Sequence, residues 1–139
     1  MARNERIQRQ FGYFNKALST LEEALSIKEV SALLRDATIQ RFEYTYEQLW
    51  KLLKRIGENE GHDVPSPRES FKSAYKLRLI SESEEEIFMI MIKKRNLTTH
   101  TYNENTAIDI FEFVKSDGIK AFKNINENLK SYIQKLFDS

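Results

Sequence analysis

The chain has 139 residues, 40% hydrophobic and 31% charged, a size and composition that predict one domain spanning residues 1–139 with its own core. With 22 Lys and Arg against 21 Asp and Glu, the net charge is +1, which excludes a protein that wraps nucleic acid by bulk charge and leaves room only for a local anion patch. There are no cysteines, so disulfides and thiol chemistry are excluded, and two histidines, His62 and His100, are too few for a His-based zinc site.

The segment from Asn4 to Ser26 carries Ile7, Phe11, Phe14, Leu18, Leu21 and Leu25 at alternating spacings of three and four, one face of a helix. Arg3, Arg6 and Arg9 precede no apolar run, so this end does not read as a secretory signal. An irregular stretch over Ile27–Leu33 leads to a second helix, Leu34 to Ile56, with the stripe Ile39, Phe42, Tyr46, Leu49, Leu53 and Ile56 widened by Trp50. Gly57 suits the C-cap of that helix. Asn59 to Pro65 is loop, and His62 reads there as a solvated residue.

Ser66-Pro67-Arg68-Glu69 reads as a helix start, with Ser66 as cap and Pro67 at the first helical position. The short helix that follows runs from Pro67 to Leu77 with Phe71, Ala74 and Tyr75 on its face. Ser81 or Ser83 caps a fourth helix reaching Thr98. Glu82, Glu84, Glu85 and Glu86 sit at its positive end and Lys93, Lys94 and Arg95 at its negative end, as the macrodipole favours. The last helix begins at Asn105 or Thr106 and runs to Phe137. Its stripe passes through Gly118 without losing phase, which predicts one long helix with a weak point there. The resulting expectation is an all-α, antiparallel up-and-down four-helix bundle with one extra short helix. No stretch is apolar and long enough to span a bilayer, and the lack of cysteine fits a cytoplasmic protein.

The chemistry-bearing segment is Arg95-Asn96-Leu97-Thr98-Thr99-His100-Thr101-Tyr102: a permanent cation, an amide, an imidazole and a phenol within eight residues. On an ideal helix Arg95 and His100 stand about 140° apart. They converge only if the helix loosens near Thr98-Thr99, where two adjacent β-branched residues favour an ending. On spacing alone, the same residues also fit a helix C-terminus whose cations suit the dipole, with the tyrosine in the core.

RNLTTHTY resembles the R-x4-H-x-Y motif of HEPN-domain proteins. RFEYTYEQLWK, preceded by Arg35-Asp36, is similar to the second-helix signature of the branch called nucleotidyltransferase substrate-binding proteins. Pro67-Arg68-Glu69 follows in the same order, so the resemblance covers nearly the whole chain. It implies an all-α homodimer, encoded near a minimal nucleotidyltransferase and forming with it a two-component, toxin–antitoxin-like module, with no metal or other cofactor. In that role the chain is a non-catalytic subunit that binds nucleotide or substrate. The alternative that it implies is a metal-independent endoribonuclease toxin, in which Arg95 and His100 cut RNA and the partner silences the site by adenylylating Tyr102.

The cleavage chemistry is reasonable for these side chains. An imidazole serves as general base or acid, and a guanidinium pairs bidentately with phosphate oxygens as charge develops. Asn96 then orients the phosphate or His100, and Asp36 and Glu43 on the second helix face the cleft or a dimer partner. A twofold dimer would supply both acid and base. Phe42, Tyr44, Tyr46 and Trp50 read as core and dimer interface rather than a base-stacking platform. The aromatic content, 12%, is high for one small bundle and points the same way.

Overall fold

A computed structural model describes residues 2–138, and all regular structure among them is helical. α1 spans Ala2–Leu25 and α2 spans Ala32–Asn59. A short α3, Pro67–Lys76, is followed by α4, Glu82–Asn96. A single 3-10 turn, Leu97–His100, closes α4. α5, Glu104–Phe113, runs through a π-helical turn, Val114–Gly118, into α6, Ile119–Asp138.

Side-chain contacts set the directions. Arg3 Nη1 donates to Asn59 Oδ1 (3.2 Å) at one end of the α1–α2 pair. Gln10 Nε2 donates to Gln48 Oε1 (2.7 Å), and Arg41 Nη1 donates to the Thr20 carbonyl (2.8 Å) further along, so the two helices run antiparallel. α6 returns antiparallel to α1, with Asn4 near Leu136 and the Phe14 and Phe122 rings 6.2 Å apart.

The stripes read from the sequence form the core. Ile7, Phe14, Leu18 and Leu21 of α1, Ile39, Phe42, Tyr46, Leu49, Leu53 and Ile56 of α2, and Phe122, Ile125 and Leu129 of α6 are buried in one cluster. Phe11 and Leu25 lie at its edge, partly buried. A relay of rings ties the helices together: Phe14 to Phe122, Phe122 to Phe42, Phe42 to Tyr46, Tyr46 to Phe71, and Phe71 stacked on Phe88 at 4.6 Å. Each such pair adds about 0.5–1.5 kcal/mol beyond the area it buries. Tyr75 departs from expectation: it is exposed, off the buried stripe of α3. Tyr44 is exposed as well and so lies outside the core of the chain.

The ends of the helices are set by local chemistry, with one correction. α4 opens with a full capping box: Ser81 Oγ accepts from Glu84 N, and Glu84 Oε1 accepts from Ser81 N. Ser66 caps α3 with Pro67 in the first turn. Gly57, in contrast, is not a C-cap. It lies buried inside α2, where an added Cβ would meet Ser73 Oγ at 2.6 Å and Val64 Cγ2 at 2.8 Å. The left-handed residue that ends α2 is Gly61, φ 86°, with Gly61 N donating to the Glu58 carbonyl and His62 N to the Gly57 carbonyl. A glycine required for close helix packing had the look of a glycine required for a turn.

The long last helix keeps its course through Gly118 but takes up one wide turn there. An added Cβ on Gly118 would lie 3.2 Å from the Phe113 carbonyl oxygen and 3.2 Å from its ring, so the missing side chain makes room for the bulge. His62 is also not simply solvated. It is half-buried, and its Nδ1 is hydrogen-bonded to Ser73 Oγ at 2.7 Å.

Candidate functional site

The motif occupies the C-terminal end of α4 and the turn beyond it. The α-helix stops at Asn96 and tightens into the 3-10 turn that carries Thr98 and His100; Thr101 and Tyr102 follow it. Thr98 stabilises this ending, since its Oγ1 reaches back to the Arg95 carbonyl at 2.7 Å. Two ion pairs pin the segment from outside. Lys94 Nζ lies 2.6 Å from Asp109 Oδ2 on α5, and Arg35 Nη2 lies 3.7 Å from Glu104 Oε1 at the α5 start.

Arg95 turns inward to α2. Its Nη1 is 3.4 Å from Glu43 Oε2, and its Nη2 is 3.7 Å from Glu47 Oε1. Nη1 also donates to Thr98 Oγ1 (3.0 Å), and that hydroxyl lies 3.2 Å from Glu43 Oε2. Glu47 is held in turn by Trp50, whose Nε1 donates to Glu47 Oε2 at 3.0 Å. The Arg95 side chain is 26% exposed, and its Nε is buried with no partner among the described residues. Two carboxylates therefore offset the single guanidinium charge. Burial pushes the neighbouring Tyr46 phenol up to about 12, helped by the Glu47 charge and opposed by Arg95.

His100 and Tyr102 stand outside this network of contacts. Tyr102 is 85% exposed, which removes the reading of it as a core tyrosine. Its hydroxyl lies 3.3 Å from His100 Nδ1, and the two rings meet edge to face at 5.8 Å. His100 is exposed as well. Among the described residues no hydrogen bond or ion pair joins Arg95 to His100. The structure thus divides the motif into an anchored cation and an exposed His–Tyr pair. Asn96 is exposed and makes no capping hydrogen bond to the turn.

Asp36 and Glu43 both line a shallow cleft of about 440 Å³ beside the turn, together with Leu33, Gln40, Thr98 and Thr101. Sequence reading missed Glu47 and Thr98 as partners of Arg95. The available signal was the four-residue spacing of Glu43 and Glu47, which places both carboxylates on one face of α2. Among the described residues, no three His, Asp or Glu side chains gather so as to hold a metal ion.

The fold and the split motif define an all-helical protein with an R-x4-H-x-Y turn at the end of one helix. The chain belongs to the family described as nucleotidyltransferase substrate binding protein like, a HEPN-like family, whose profile matches residues 9–131. Among solved structures, protein ttk003001694 from Thermus thermophilus is 37% identical over 84% of this chain and 98% of that one, with a TM-score of 0.77. A mutant of the MntA–HpeT toxin–antitoxin is similar in fold at 19% identity, covering 90% of this chain and 97% of that one with a TM-score of 0.74. So is the tri-AMPylated Shewanella oneidensis HEPN toxin in complex with MNT antitoxin, at 19% identity, 90% and 96% coverage and a TM-score of 0.72. No curated protein matches the chain.

Proposed function

We propose that this chain is the HEPN-type subunit of a two-component module, a partner of a minimal nucleotidyltransferase, and that it binds nucleotide or substrate without itself performing catalysis. The observation that carries this reading is the engagement of Arg95 by Glu43 and Glu47. A guanidinium held by two carboxylates is neutralised and occupied, so it is poorly placed to take up phosphate charge. The toxin–antitoxin complexes among the structural neighbours support a nucleotidyltransferase as the partner class. The single buried cluster supports one domain across residues 1–139, built as an up-and-down four-helix bundle with α3 as the extra short helix. Homodimerisation through α2 and the exposed turn, in the cytoplasm, completes the reading.

Co-expression with the neighbouring nucleotidyltransferase, followed by size-exclusion chromatography, tests it. Co-elution is expected. Two separate peaks at micromolar concentration would remove the partner role.

The exposed His100–Tyr102 pair favours a second reading, a metal-independent endoribonuclease toxin silenced at Tyr102. In cleavage the RNA 2′-hydroxyl attacks the adjacent phosphorus and the bond to O5′ breaks. One His100 takes the 2′ proton, and the His100 of a second copy protonates the leaving oxygen. In silencing, Tyr102 Oη attacks the α-phosphorus of ATP, pyrophosphate leaves, and the phenol proton passes to His100 Nδ1. Wild type and His100→Ala incubated with RNA in EDTA separate the readings. Cleavage by wild type alone supports the nuclease, whereas no cleavage by either supports the binding subunit. Mass spectrometry after incubation with the partner and ATP reads the adduct at Tyr102 directly.

A further inference from the structure

At the far end of α2 from the motif, Arg3 and Arg6 of α1 meet Arg55 of α2. The three arginines line one small cavity of about 230 Å³, together with Ile7, Glu58 and Asn59. The lining offers these cations almost no compensation: its one carboxylate, Glu58, is already paired with Lys54 Nζ at 3.1 Å. Arg3 has only the neutral Asn59 oxygen, and Arg6 and Arg55 have no ion-pair partner among the described residues. The placement works against stability. Arg3 and Arg6 lie in the first turns of α1, where the helix dipole is positive and cations are disfavoured. Local charge conflicts that no contact offsets are expected at functional sites. The cavity is smaller than the usual range of about 300–1,000 Å³ for organic ligands, which suits a compact anionic group. Guanidinium forks match phosphate oxygens in shape as well as charge.

We infer that Arg3, Arg6 and Arg55 form a phosphate-binding site, separate from the Arg95–Tyr102 turn, that holds either the backbone of a nucleic acid or a free oligophosphate. Arg55 stands about 18 Å along α2 from Glu43, at a rise of about 1.5 Å per residue. The site does not depend on whether the motif is catalytic.

The test is fluorescence anisotropy with a labelled single-stranded oligoribonucleotide, with tripolyphosphate as competitor. Wild type is expected to bind with an affinity that falls with salt, at a log–log slope of about −2 for three phosphate contacts. Arg6→Glu and Arg55→Glu are each expected to weaken binding at least tenfold and to flatten that slope. Arg6→Glu is also expected to melt at the same temperature as wild type or higher, because an acid there suits the dipole. Displacement of RNA by tripolyphosphate at matched phosphate concentration would identify a free oligophosphate as the ligand; RNA binding that resists it would identify the backbone. If wild type binds neither probe, or if both charge reversals bind as wild type does, the inference is overturned. Loss of binding only in Arg95→Ala would overturn it too, by placing the contact at the motif.

Discussion

Arg95 Nη1 on the last turn of α4 and Glu43 Oε2 on α2 stand 3.4 Å apart, and this contact, together with those of Arg95 to Glu47 and Thr98 to Glu43, joins the motif to the helix that carries the second family signature. It is a partly exposed pair, with side chains 26% and 31% accessible. A double-mutant cycle of Glu43→Gln and Arg95→Met in urea unfolding is expected to give a coupling of about 0.5–1 kcal/mol. Glu43→Gln alone leaves Glu47 to hold Arg95, so it should cost less than Arg95→Met, which leaves both carboxylates without their cation. Equal costs would mean that Glu47 does not share the load.

Gly57→Ala places a Cβ 2.6 Å from Ser73 Oγ, at the point where α2 and α3 pack. Ser73 is itself buried and hydrogen-bonded to His62, so it cannot swing aside freely. A loss of about 1–3 kcal/mol is expected from this overpacking, although alanine is the better helix former. A denaturation midpoint at or above that of wild type would contradict the packing role of this glycine.

Arg78 adopts φ 62° at the end of α3, the conformation that glycine accepts without strain. Arg78→Gly is expected to stabilise the chain by about 0.5–1 kcal/mol, since relief of left-handed strain exceeds the entropy that glycine adds to the unfolded chain. Thermal melting at pH 7 reads the gain directly.

Ser81→Ala removes the hydroxyl of the α4 capping box and is expected to cost about 1 kcal/mol. Ser83→Ala should cost less, because its Oγ contacts Ser81 Oγ rather than a free backbone N–H of the helix. Paired chemical denaturation of the two variants makes the comparison.

Alkaline pH should destabilise the chain through two tyrosines. Burial pushes Tyr46 and Tyr132 up to about 12, and the hydrogen bond from Tyr132 to Glu60 adds to the second shift. Each phenol stays neutral in the folded state where an unfolded one, with a pKa near 10, ionises. Stability is therefore intact below about pH 10 and falls as pH rises toward 12. The loss is about 1–2 kcal/mol for Tyr46 and less for Tyr132, whose more exposed position lets solvent screen the effect. Tyr46→Phe is expected to flatten the fall in urea midpoint over this range. An unchanged slope in both Tyr46→Phe and Tyr132→Phe would exclude these phenols as its source.

Much of the fold was legible in the order of residues. The three-and-four spacing of apolar side chains identified each long helix, because one buried stripe per helix is what a helical core requires. Ser66 and Ser81 were readable as caps because capping uses side chains within one turn of the sequence. Gly57 was misread because a glycine near a helix end carries the same sequence signal whether it serves a turn or a close packing contact. Only the position of Ser73 and Val64 tells them apart. The motif likewise showed which side chains it offers, but not that Arg95 would be anchored on α2 while His100 stays exposed beside Tyr102.

Charge divides along the same line. The sequence alone determined that this chain is all-helical, carries an R-x4-H-x-Y turn and has no bulk charge, because periodicity, motif and net charge are local or summed properties. The tertiary structure alone decided how those charges are distributed. Packing of α4 against α2 puts Glu43 and Glu47 on Arg95, while packing of α1 against α2 gathers Arg3, Arg6 and Arg55 around a single acid, Glu58, that Lys54 already holds. Ion pairing falls off within a few ångströms, so it depends on which helices touch, and no single-chain sum reports that.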